Sequence, residues 1–362
     1  MKEHDFLKYL KRNPGENIGE LSDFSHAVII PAYDEERNLP LLLESLNCTD
    51  IPCPVAVIIV VNYPAGASPQ SSLALYQTLQ NTRLDGGLKL FALFAPELTG
   101  GVGEARKIGF DLFCRSRNCR NADSSVMFSL DADCLVDKNY FCETLELASP
   151  DDTGCVIIGV KHQKSDDPAI SQAITLYENY LLDYEKNLAA CNSPYAYNAI
   201  GSGFAVKVRD YIRCGGMKLK KAGEDFYFIQ SAAKCSQIVK TTRPLVFPSP
   251  RLSERVPFGT GTAVRDIIAG TMPRQVTHES FSKLKNVLET IVLTGALDNG
   301  ENFISLLAPD EAEFFIENGF LSAWQKILAN QKPSTEKEKQ CAFHLWFDAL
   351  QTRRFLHKMS GR

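Results

Sequence analysis

The stretch that decides the fold is residues 126–134, which read VMFSLDADC. Its apolar first half is typical of a buried strand, and two carboxylates, Asp131 and Asp133, follow where that strand should end. In open α/β sheets, ligands bind at the carboxyl ends of the strands. Carboxylate oxygens suit Mg²⁺ and Mn²⁺, and such an ion can bridge the oxygens of a diphosphate. We therefore predict that Asp131 and Asp133 hold Mn²⁺ or Mg²⁺.

Strands and helices alternate along the chain around this stretch. Continuous apolar runs predict buried strands, and apolar residues at helical spacing predict helices. The predicted strands are 26–32, 55–61, 88–94, 155–160, 199–206 and 239–247, and the predicted helices are 39–47, 71–82, 104–115, 170–188 and one that begins at 223. This alternation predicts an α/β fold built on a doubly wound, Rossmann-like and mostly parallel sheet.

The composition limits the classes of protein to which the chain can belong. It has 362 residues, 44% of them hydrophobic, and a net charge of −4, which does not favour nucleic acid as a partner. Its 11 cysteines are scattered without zinc spacing, so we predict reduced thiols and a cytoplasmic location. The charged N-terminus lacks the apolar core of a signal peptide, and the longest aliphatic run is too short for a transmembrane segment. Peripheral contact with a membrane stays open.

The order of the motifs is more informative than any one of them. PAYDEERN follows the first strand at 31–38, and GGVG at 100–103 opens the helix that carries Arg106. The Asp-x-Asp pair comes next, followed by GSG at 201–203 and by Glu224-Asp225. In this order the motifs resemble glycosyltransferase family 2, which has the GT-A fold, and the resemblance covers about residues 26–260. It implies transfer of a sugar from a nucleotide-diphosphate donor to an acceptor, usually with inversion.

The resemblance also implies roles for the matched positions. Those predicted beside the nucleotide-sugar are Pro31, Ala32, Tyr33, Glu35 and Asp131. Those predicted at the metal are Asp131 and Asp133, and those at the acceptor cleft are Gly201, Ser202 and Gly203. Glu224 and Asp225 are the predicted catalytic pair, with Asp225 as general base. Asn62 lies at the end of the second strand, where the family usually has an aspartate pair, so the choice between a UDP-sugar and a GDP-sugar stays open.

Two further segments carry predictions from their own residues. The loop that ends in Gly103, with Arg106 behind it, suits closure over the donor at a helix N-terminus, but a plain helix-start turn is the alternative. Arg251 and Arg255 stand beside glycines, as expected of a lid at 251–261 that clamps a diphosphate. The alternative for this segment is a basic surface loop.

The predicted chemistry needs these residue types. A divalent ion stabilises the charge that develops on a diphosphate leaving group, because it acts as a Lewis acid. The acceptor hydroxyl must lose a proton as it attacks, which requires a positioned carboxylate. We expect Asp225 to be ionised at neutral pH, because it lies at the start of a helix, whose dipole favours an anion.

We predict three segments along the chain. Residues 1–25 form a polar, helical lead-in, residues 26–261 form the catalytic domain, and residues 262–362 form a C-terminal helical extension. Within the catalytic domain, the nucleotide-sugar half extends to about residue 135, and the acceptor half follows it. The Gln-x-x-Arg-Trp motif of processive synthases is absent from the sequence, which favours transfer of a single sugar.

Three alternatives remain at this stage. A retaining GT-A enzyme would share the same motifs. A sugar-1-phosphate nucleotidyltransferase would need glycine and basic residues after the first strand, where this chain has acidic ones. A non-catalytic nucleotide-sugar-binding protein is disfavoured because both carboxylate pairs are intact. The acceptor, which is a glycan, a lipid-linked sugar or a small molecule, is not identified by the sequence.

Overall fold

The architecture comes from a computed structural model that describes residues 1–220, 223–252 and 259–361. The chain divides into two compact units. The first comprises Met1–Glu178 and Ala199–Thr271, and the second comprises Asn179–Asn198 and Met272–Arg362. The first unit is an α/β body built on one mixed, mostly parallel sheet, and the second unit is helical. This confirms the predicted fold class.

The sheet of the first unit has eight strands in the order β3-β2-β1-β4-β7-β6-β8-β5. Their bounds are β1 His26–Ala32, β2 Val55–Pro64, β3 Leu88–Leu98, β4 Val126–Ser129, β5 Cys134–Val136, β6 Thr153–Val160, β7 Phe204–Lys207 and β8 Gln237–Pro248. Strands β1 to β4 pair in parallel, and β6 pairs in parallel with β8. Because β7 is antiparallel to both β4 and β6, the carboxyl ends of β4 and β6 lie at the same edge of the sheet.

The helices of the first unit surround this sheet. Their bounds are α1 Glu3–Arg12, α2 Leu39–Asn47, α3 Gln70–Gln80, α4 Gly101–Arg115, α5 Tyr140–Ala148, α6 Pro168–Ala190, α7 Val208–Arg213, α8 Glu224–Ala233 and α9 Thr260–Ile268, with a 3-10 turn at Gly19–Asp23. Helix α6 continues into the second unit. The central strands are almost fully buried, and each buried aliphatic side chain there contributes roughly 1.5–3 kcal/mol.

One predicted strand is shorter than expected, and three elements were not predicted. The strand predicted at 199–206 begins only at Phe204, because residues 200–203 form a turn in which Gly203 N–H donates to the Ile200 carbonyl at 2.9 Å. Strand β5 and helices α5 and α7 are short, and their residues gave no clear periodicity. The strand predicted at 239–247 tolerates Pro244 because the pairing with β6 shifts register at that position.

The first unit extends to Thr271, nine residues beyond residue 262, where the helical extension was predicted to begin. Helix α9 packs on the first part of α6 through Val264 and Ile267, which contact Ala173 and Ile174. This contact keeps residues up to Thr271 in the first unit.

The second unit is a small helical body around an aromatic core. Besides the end of α6, its helices are α10 His278–Thr290, α11 Gly300–Ser305, α12 Pro309–Glu317, α13 Phe320–Gln331, α14 Glu336–Trp346 and α15 Ala349–Met359. Trp324 and several phenylalanines are buried in its core, where their rings pack edge-on or tilted against each other. Side-chain caps from Thr277, Asn299, Thr335 and Asp348 begin four of the helices.

Among the described residues, every helix is too short or too polar to cross a lipid bilayer. All 11 cysteines are free thiols.

Candidate active site

The centre of the site is Arg106, a buried arginine of α4 that joins two acidic motifs. Only 1% of this residue is exposed. Its Nη2 donates to Asp131, two residues beyond the end of β4, and its Nη1 donates to Glu224 at the start of α8. Burial alone lowers the pKa of Arg106, but the charges of Asp131 and Glu224 outweigh it, so the net direction of the pKa is upward. The guanidinium is therefore a fixed cation between the two motifs.

Two of the predicted glycines lie against this bridge. A methyl group on Gly103 would lie 2.7 Å from Cγ of Glu224, and one on Gly201 would lie 2.8 Å from Nη2 of Arg106. Both distances are shorter than carbon contacts allow, so a side chain at either position would displace the bridge. The glycines are thus required by close packing around Arg106 and Glu224.

A second arginine, Arg251, forms an ion pair with Asp133, the other carboxylate of the Asp-x-Asp motif. Its guanidinium forms a two-pronged ion pair with Glu35, and its Nε lies 2.9 Å from Oδ2 of Asp133. Asn38 also donates to Glu35 at 2.8 Å. The backbone N–H of Ser249 donates to the Asp133 carbonyl at 2.9 Å, which fixes the segment after β8 beside the Asp-x-Asp turn. Arg255, predicted as a second clamp, lies outside the described residues, as does most of the predicted lid.

Two carboxylates of the site have raised pKa values. Burial, together with the charge of Asp131, raises the pKa of Asp133 to about 6, although Arg251 opposes the shift. Burial and the neighbouring Glu224 likewise raise the pKa of Asp225 to about 6, with Arg106 opposing. The helix dipole was expected to favour the anion at Asp225, but burial beside another carboxylate outweighs it. Asp225 nevertheless remains mostly ionised at neutral pH.

The predicted nucleotide residues lie at the ends of β1 and β2. Pro31 and Ala32 are the last residues of β1 and are buried, while Tyr33 follows them and is partly exposed. Asn62 is buried near the end of β2, where its amide donates to the carbonyls of Ala32 at 3.3 Å and Val60 at 3.1 Å. Asn62 therefore ties the two strand ends together.

The turn at residues 201–203 lies beside the Asp-x-Asp strand. The hydroxyl of Ser129 donates to the Gly201 carbonyl at 2.6 Å, and the Gly203 carbonyl accepts from the N–H of Ile158 at 2.8 Å. Ser202 is buried in this turn. These contacts bring the predicted acceptor-cleft residues next to Asp131, while their role in binding an acceptor remains a prediction.

The glycine-rich loop before α4 is partly closed by its own helix. The carboxylate of Glu104 accepts from the N–H groups of Thr99 at 3.1 Å and Gly100 at 2.7 Å. Two of the N–H groups that could receive a phosphate are thereby occupied, which favours the helix-start turn for this part of the loop.

Sequence reasoning overlooked one polar pair at the same edge of the sheet. His162 follows β6, and its Nδ1 lies 2.8 Å from Oε1 of Glu178, which also accepts from the His162 N–H at 2.7 Å. The signal that was available is a histidine two residues beyond the end of a buried strand. The partner of this histidine, Glu178, lies on α6 and could not be identified from the residues around His162.

The donor set at Asp131 and Asp133 fits a small hard cation. Within the described ranges there is no group of three or more histidines, cysteines and acids arranged around a metal position. Mg²⁺ is commonly bound by one or two carboxylates, with substrate phosphates and water as its other ligands. Asp131 and Asp133, which flank Ala132, could therefore supply the protein ligands for an ion that arrives with a diphosphate.

The family model described as Glycosyl transferase family 2 matches residues 27–211, slightly more than half of the chain. No curated protein sequence matches significantly. The crystal structure of S. aureus TarS 1-349 in complex with UDP-GlcNAc is similar at 14% identity, with 88% of this chain and 91% of that chain covered and a TM-score of 0.46. GalNAc-T7 with UDP, GalNAc and Mn²⁺ is similar at 16% identity, with 74% and 50% covered and a TM-score of 0.41.

Proposed function

The chain belongs to glycosyltransferase family 2, and from this premise we propose that it transfers a single sugar from a nucleotide-diphosphate donor to an acceptor hydroxyl. The bridge from Asp131 through Arg106 to Glu224 is the observation that carries the proposal. It holds the carboxylates suited to a metal diphosphate beside the helix that bears Asp225. A donor site and a proton acceptor are thus adjacent, as a transfer reaction needs.

Asp131 and Asp133 would hold a divalent ion together with the donor's two phosphates. The ion supplies Lewis-acid stabilisation of the leaving diphosphate. Arg251 adds a positive charge at the same place, because its guanidinium already lies against Asp133. A planar guanidinium suits two oxygens of a phosphate as well as it suits a carboxylate, so we propose that Arg251 exchanges Glu35 for the donor.

Asp225 is the proposed general base of an inverting transfer. It takes the proton of the acceptor hydroxyl as the oxygen attacks the sugar from the face opposite the diphosphate. Its pKa of about 6 is close to neutrality, which makes it a better proton acceptor than a carboxylate of ordinary pKa and still leaves it ionised at pH 7. Glu224 is committed to Arg106 and therefore positions α8 rather than taking the proton.

The most direct test of the activity is a panel of UDP- and GDP-sugars incubated with Mn²⁺ and the protein. Many transferases slowly pass the sugar to water, so release of UDP or GDP from one donor would identify the donor without an acceptor. The proposal expects release with one nucleotide class and none from heat-inactivated protein. No release from any donor, with nucleotide binding absent as well, would refute it.

We expect Mn²⁺ to tighten the binding of UDP or GDP by about tenfold or more, which corresponds to about 1.4 kcal/mol. Asp133→Ala should remove this metal-dependent part, because it deletes one of the two protein ligands. Calorimetry with Mn²⁺ and with EDTA measures both values. Asp152→Ala, which changes an exposed carboxylate away from the site, is the control and should behave as the natural chain does. If the affinity for UDP or GDP is changed neither by Mn²⁺ nor by Asp133→Ala, the proposed metal site is contradicted.

We expect Arg251→Gln to change two affinities in opposite directions. Binding of the nucleotide diphosphate should weaken by about 10- to 100-fold, because a charge-assisted hydrogen bond is worth about 1.5–3 kcal/mol. Binding of Mn²⁺ alone should tighten, because Asp133 and Glu35 lose their counter-charge. Electron spin resonance of free Mn²⁺ and calorimetry of the nucleotide provide the two readouts.

Arg251→Lys is the matched control for this change. It retains the charge but lacks the fork that holds two oxygens, so it should recover the Mn²⁺ affinity and only part of the nucleotide affinity. Unchanged nucleotide affinity in Arg251→Gln would restrict Arg251 to an ion pair within the protein.

A further inference from the structure

One polar pair at the edge of the sheet has no part in the proposed reaction. His162 lies two residues beyond β6, and Glu178 lies on α6, both within the first unit. Oε1 of Glu178 lies 2.8 Å from Nδ1 of His162 and also accepts from the His162 N–H at 2.7 Å. The two side chains are only 7% and 23% exposed, so the imidazole ring is held in one orientation.

The chain around His162 connects it to the Asp-x-Asp motif. The N–H of Gln163, the next residue, donates to the Pro248 carbonyl at 3.0 Å. Ser249, which follows Pro248, donates its N–H to the Asp133 carbonyl at 2.9 Å. Two backbone hydrogen bonds therefore join the segment after β6 to the residue that is proposed to hold the metal.

The opposite edge of β6 pairs with the turn at residues 200–203. The N–H of Ile158 donates to the Gly203 carbonyl at 2.8 Å, and a methyl group on Gly203 would lie 2.8 Å from Cγ2 of Val160. His162 follows Val160 by two residues. It therefore lies at the end of a strand that runs between the segment bonded to Asp133 and the turn that is predicted to border the acceptor.

The contacts with Glu178 determine which ring nitrogen of His162 carries the proton. Burial alone would raise the pKa of Glu178, but the hydrogen bonds from His162 outweigh it, so the net direction of the pKa is downward. An ionised carboxylate can only accept, so Nδ1 donates to it and Nε2 of the neutral ring is an acceptor. Nε2 has no hydrogen-bond partner among the described residues, and it is not one of their buried, unpartnered polar atoms. It is therefore accessible to a ligand.

A metal ion or an anion fits this pair less well than an alcohol does. In the part of the chain that the structure describes, no group of three or more potential metal ligands is present. A phosphate is disfavoured because Glu178 places a negative charge directly behind the ring. A hydroxyl group is neutral and can donate its hydrogen to the lone pair of Nε2.

We propose that His162, oriented by Glu178, binds a hydroxyl group of a sugar through Nε2. A donor sugar carries such hydroxyls, and so does a sugar acceptor, so the choice of a sugar as the ligand rests on the proposed function. His162 contacts the sugar directly, whereas Glu178 acts through His162 and is a positioning residue.

Two replacements of His162 separate sugar binding from a structural role. Asparagine places its amide near the position of Nδ1, so His162→Asn should keep the bond to Glu178 and the stability to urea but leave no group at Nε2. Glutamine places its amide near Nε2, so His162→Gln should lose stability and keep the sugar contact. We expect the sugar ligand to bind about 2- to 10-fold more weakly to His162→Asn and nearly normally to His162→Gln, because one neutral hydrogen bond is lost in the first variant only. A purely structural pair predicts the reverse order.

The ligand is identified by protection of His162 from diethyl pyrocarbonate, which acylates accessible, unprotonated imidazole nitrogens. Modified peptides of the natural full chain are mapped by mass spectrometry. One arm uses the panel of UDP- and GDP-sugars with Mn²⁺, each compared with UDP or GDP, and the other adds methyl glycosides of the same sugars to the protein with Mn²⁺ and UDP or GDP. At a ligand concentration about tenfold above Kd, the reaction of His162 should slow about tenfold. His4, whose side chain is 82% exposed, is the control and should react equally in every sample.

The outcomes distinguish the source of the hydroxyl. Protection by a nucleotide-sugar but not by its nucleotide would identify the donor, and protection only after addition of a methyl glycoside would identify the acceptor. No reaction at His162 in the free protein, no protection in either arm, or protection by UDP or GDP alone would overturn the proposal.

These measurements on the natural chain need no variant and no turnover, so they decide the proposal even if a variant of His162 fails to fold. They also separate it from the sugar transfer. Protection without release of nucleotide from any donor supports the binding site and contradicts only the transfer. Release of nucleotide without protection contradicts only the binding site.

Discussion

Asp225→Asn is expected to lower turnover by about 10²- to 10⁴-fold, the range that a general base contributes. The amide keeps the shape of the side chain but cannot accept the proton of the acceptor hydroxyl. Donor binding should stay nearly unchanged, because Asp131, Asp133 and Arg251 are intact. The measurement is kcat with a saturating donor, together with calorimetry of the nucleotide.

The pH dependence provides a second check of the same residue. The base works only when it is deprotonated, so activity is present above its pKa and lost as the pH falls through it. With the pKa of Asp225 raised to about 6, kcat/KM should fall tenfold per pH unit below about pH 6. The pKa of Asp133 is also raised to about 6. The fall of kcat/KM at low pH should therefore be measured at a saturating concentration of metal, which holds Asp133 as the anion.

Asp166→Asn is the matched control, because it makes the same change at an exposed carboxylate. It should keep the turnover and pH profile of the natural chain. Near-normal turnover of Asp225→Asn would exclude Asp225 as the base. Retention of the donor's anomeric configuration, observed by NMR of the product, would exclude the single-displacement mechanism.

Arg106→Met is expected to lower the free energy of unfolding by about 3–5 kcal/mol. Methionine fills the space but leaves the buried Glu224 and the neighbouring Asp131 without their cation. Breaking a buried ion pair costs this much because the remaining charge cannot be solvated. Urea unfolding followed by circular dichroism measures the change, and Arg354→Met, at an exposed position, should shift it by less than about 0.5 kcal/mol.

Two further variants separate loss of charge from loss of shape. Arg106→Lys keeps a cation but cannot reach both carboxylates in the same geometry, so it should be intermediate in stability. Adding Glu224→Gln to Arg106→Met removes the stranded charge and should recover part of the loss. An Arg106→Met variant of normal stability, in which only nucleotide binding is weakened, would show that Arg106 is a donor ligand, as the sequence suggested, and not a bridge.

The elements with strong local patterns were predictable. Strand 26–32 and helix 39–47 have the predicted bounds, because a continuous apolar run and an apolar helix face are properties of neighbouring residues. The strand predicted at 199–206 was too long, because its glycines serve a turn whose partner is β6 and not their own segment.

The candidate site was predictable in its parts but not in its connections. Sequence order brought Asp131, Asp133 and Asp225 forward as candidates. It could not show that Arg106 joins Asp131 to Glu224, which lie 25 and 118 positions further along the chain. The fold of the sheet determines such distant partners. For the same reason the pKa of Asp225 was expected from the helix dipole alone, when burial beside Glu224 determines its direction.

Counted over the residues that the structure describes, the two ion-paired arginines of the site do not balance its carboxylates. Glu35, Asp131, Asp133, Glu224 and Asp225 supply five carboxylates, and Arg106 and Arg251 supply two guanidiniums. With all of them ionised, these side chains carry a net negative charge, which attracts cations and repels a free nucleotide diphosphate. If the proposed function holds, this imbalance sets the order of addition, because the donor would enter as its metal complex. We then expect excess chelator to slow donor association before it affects any later step.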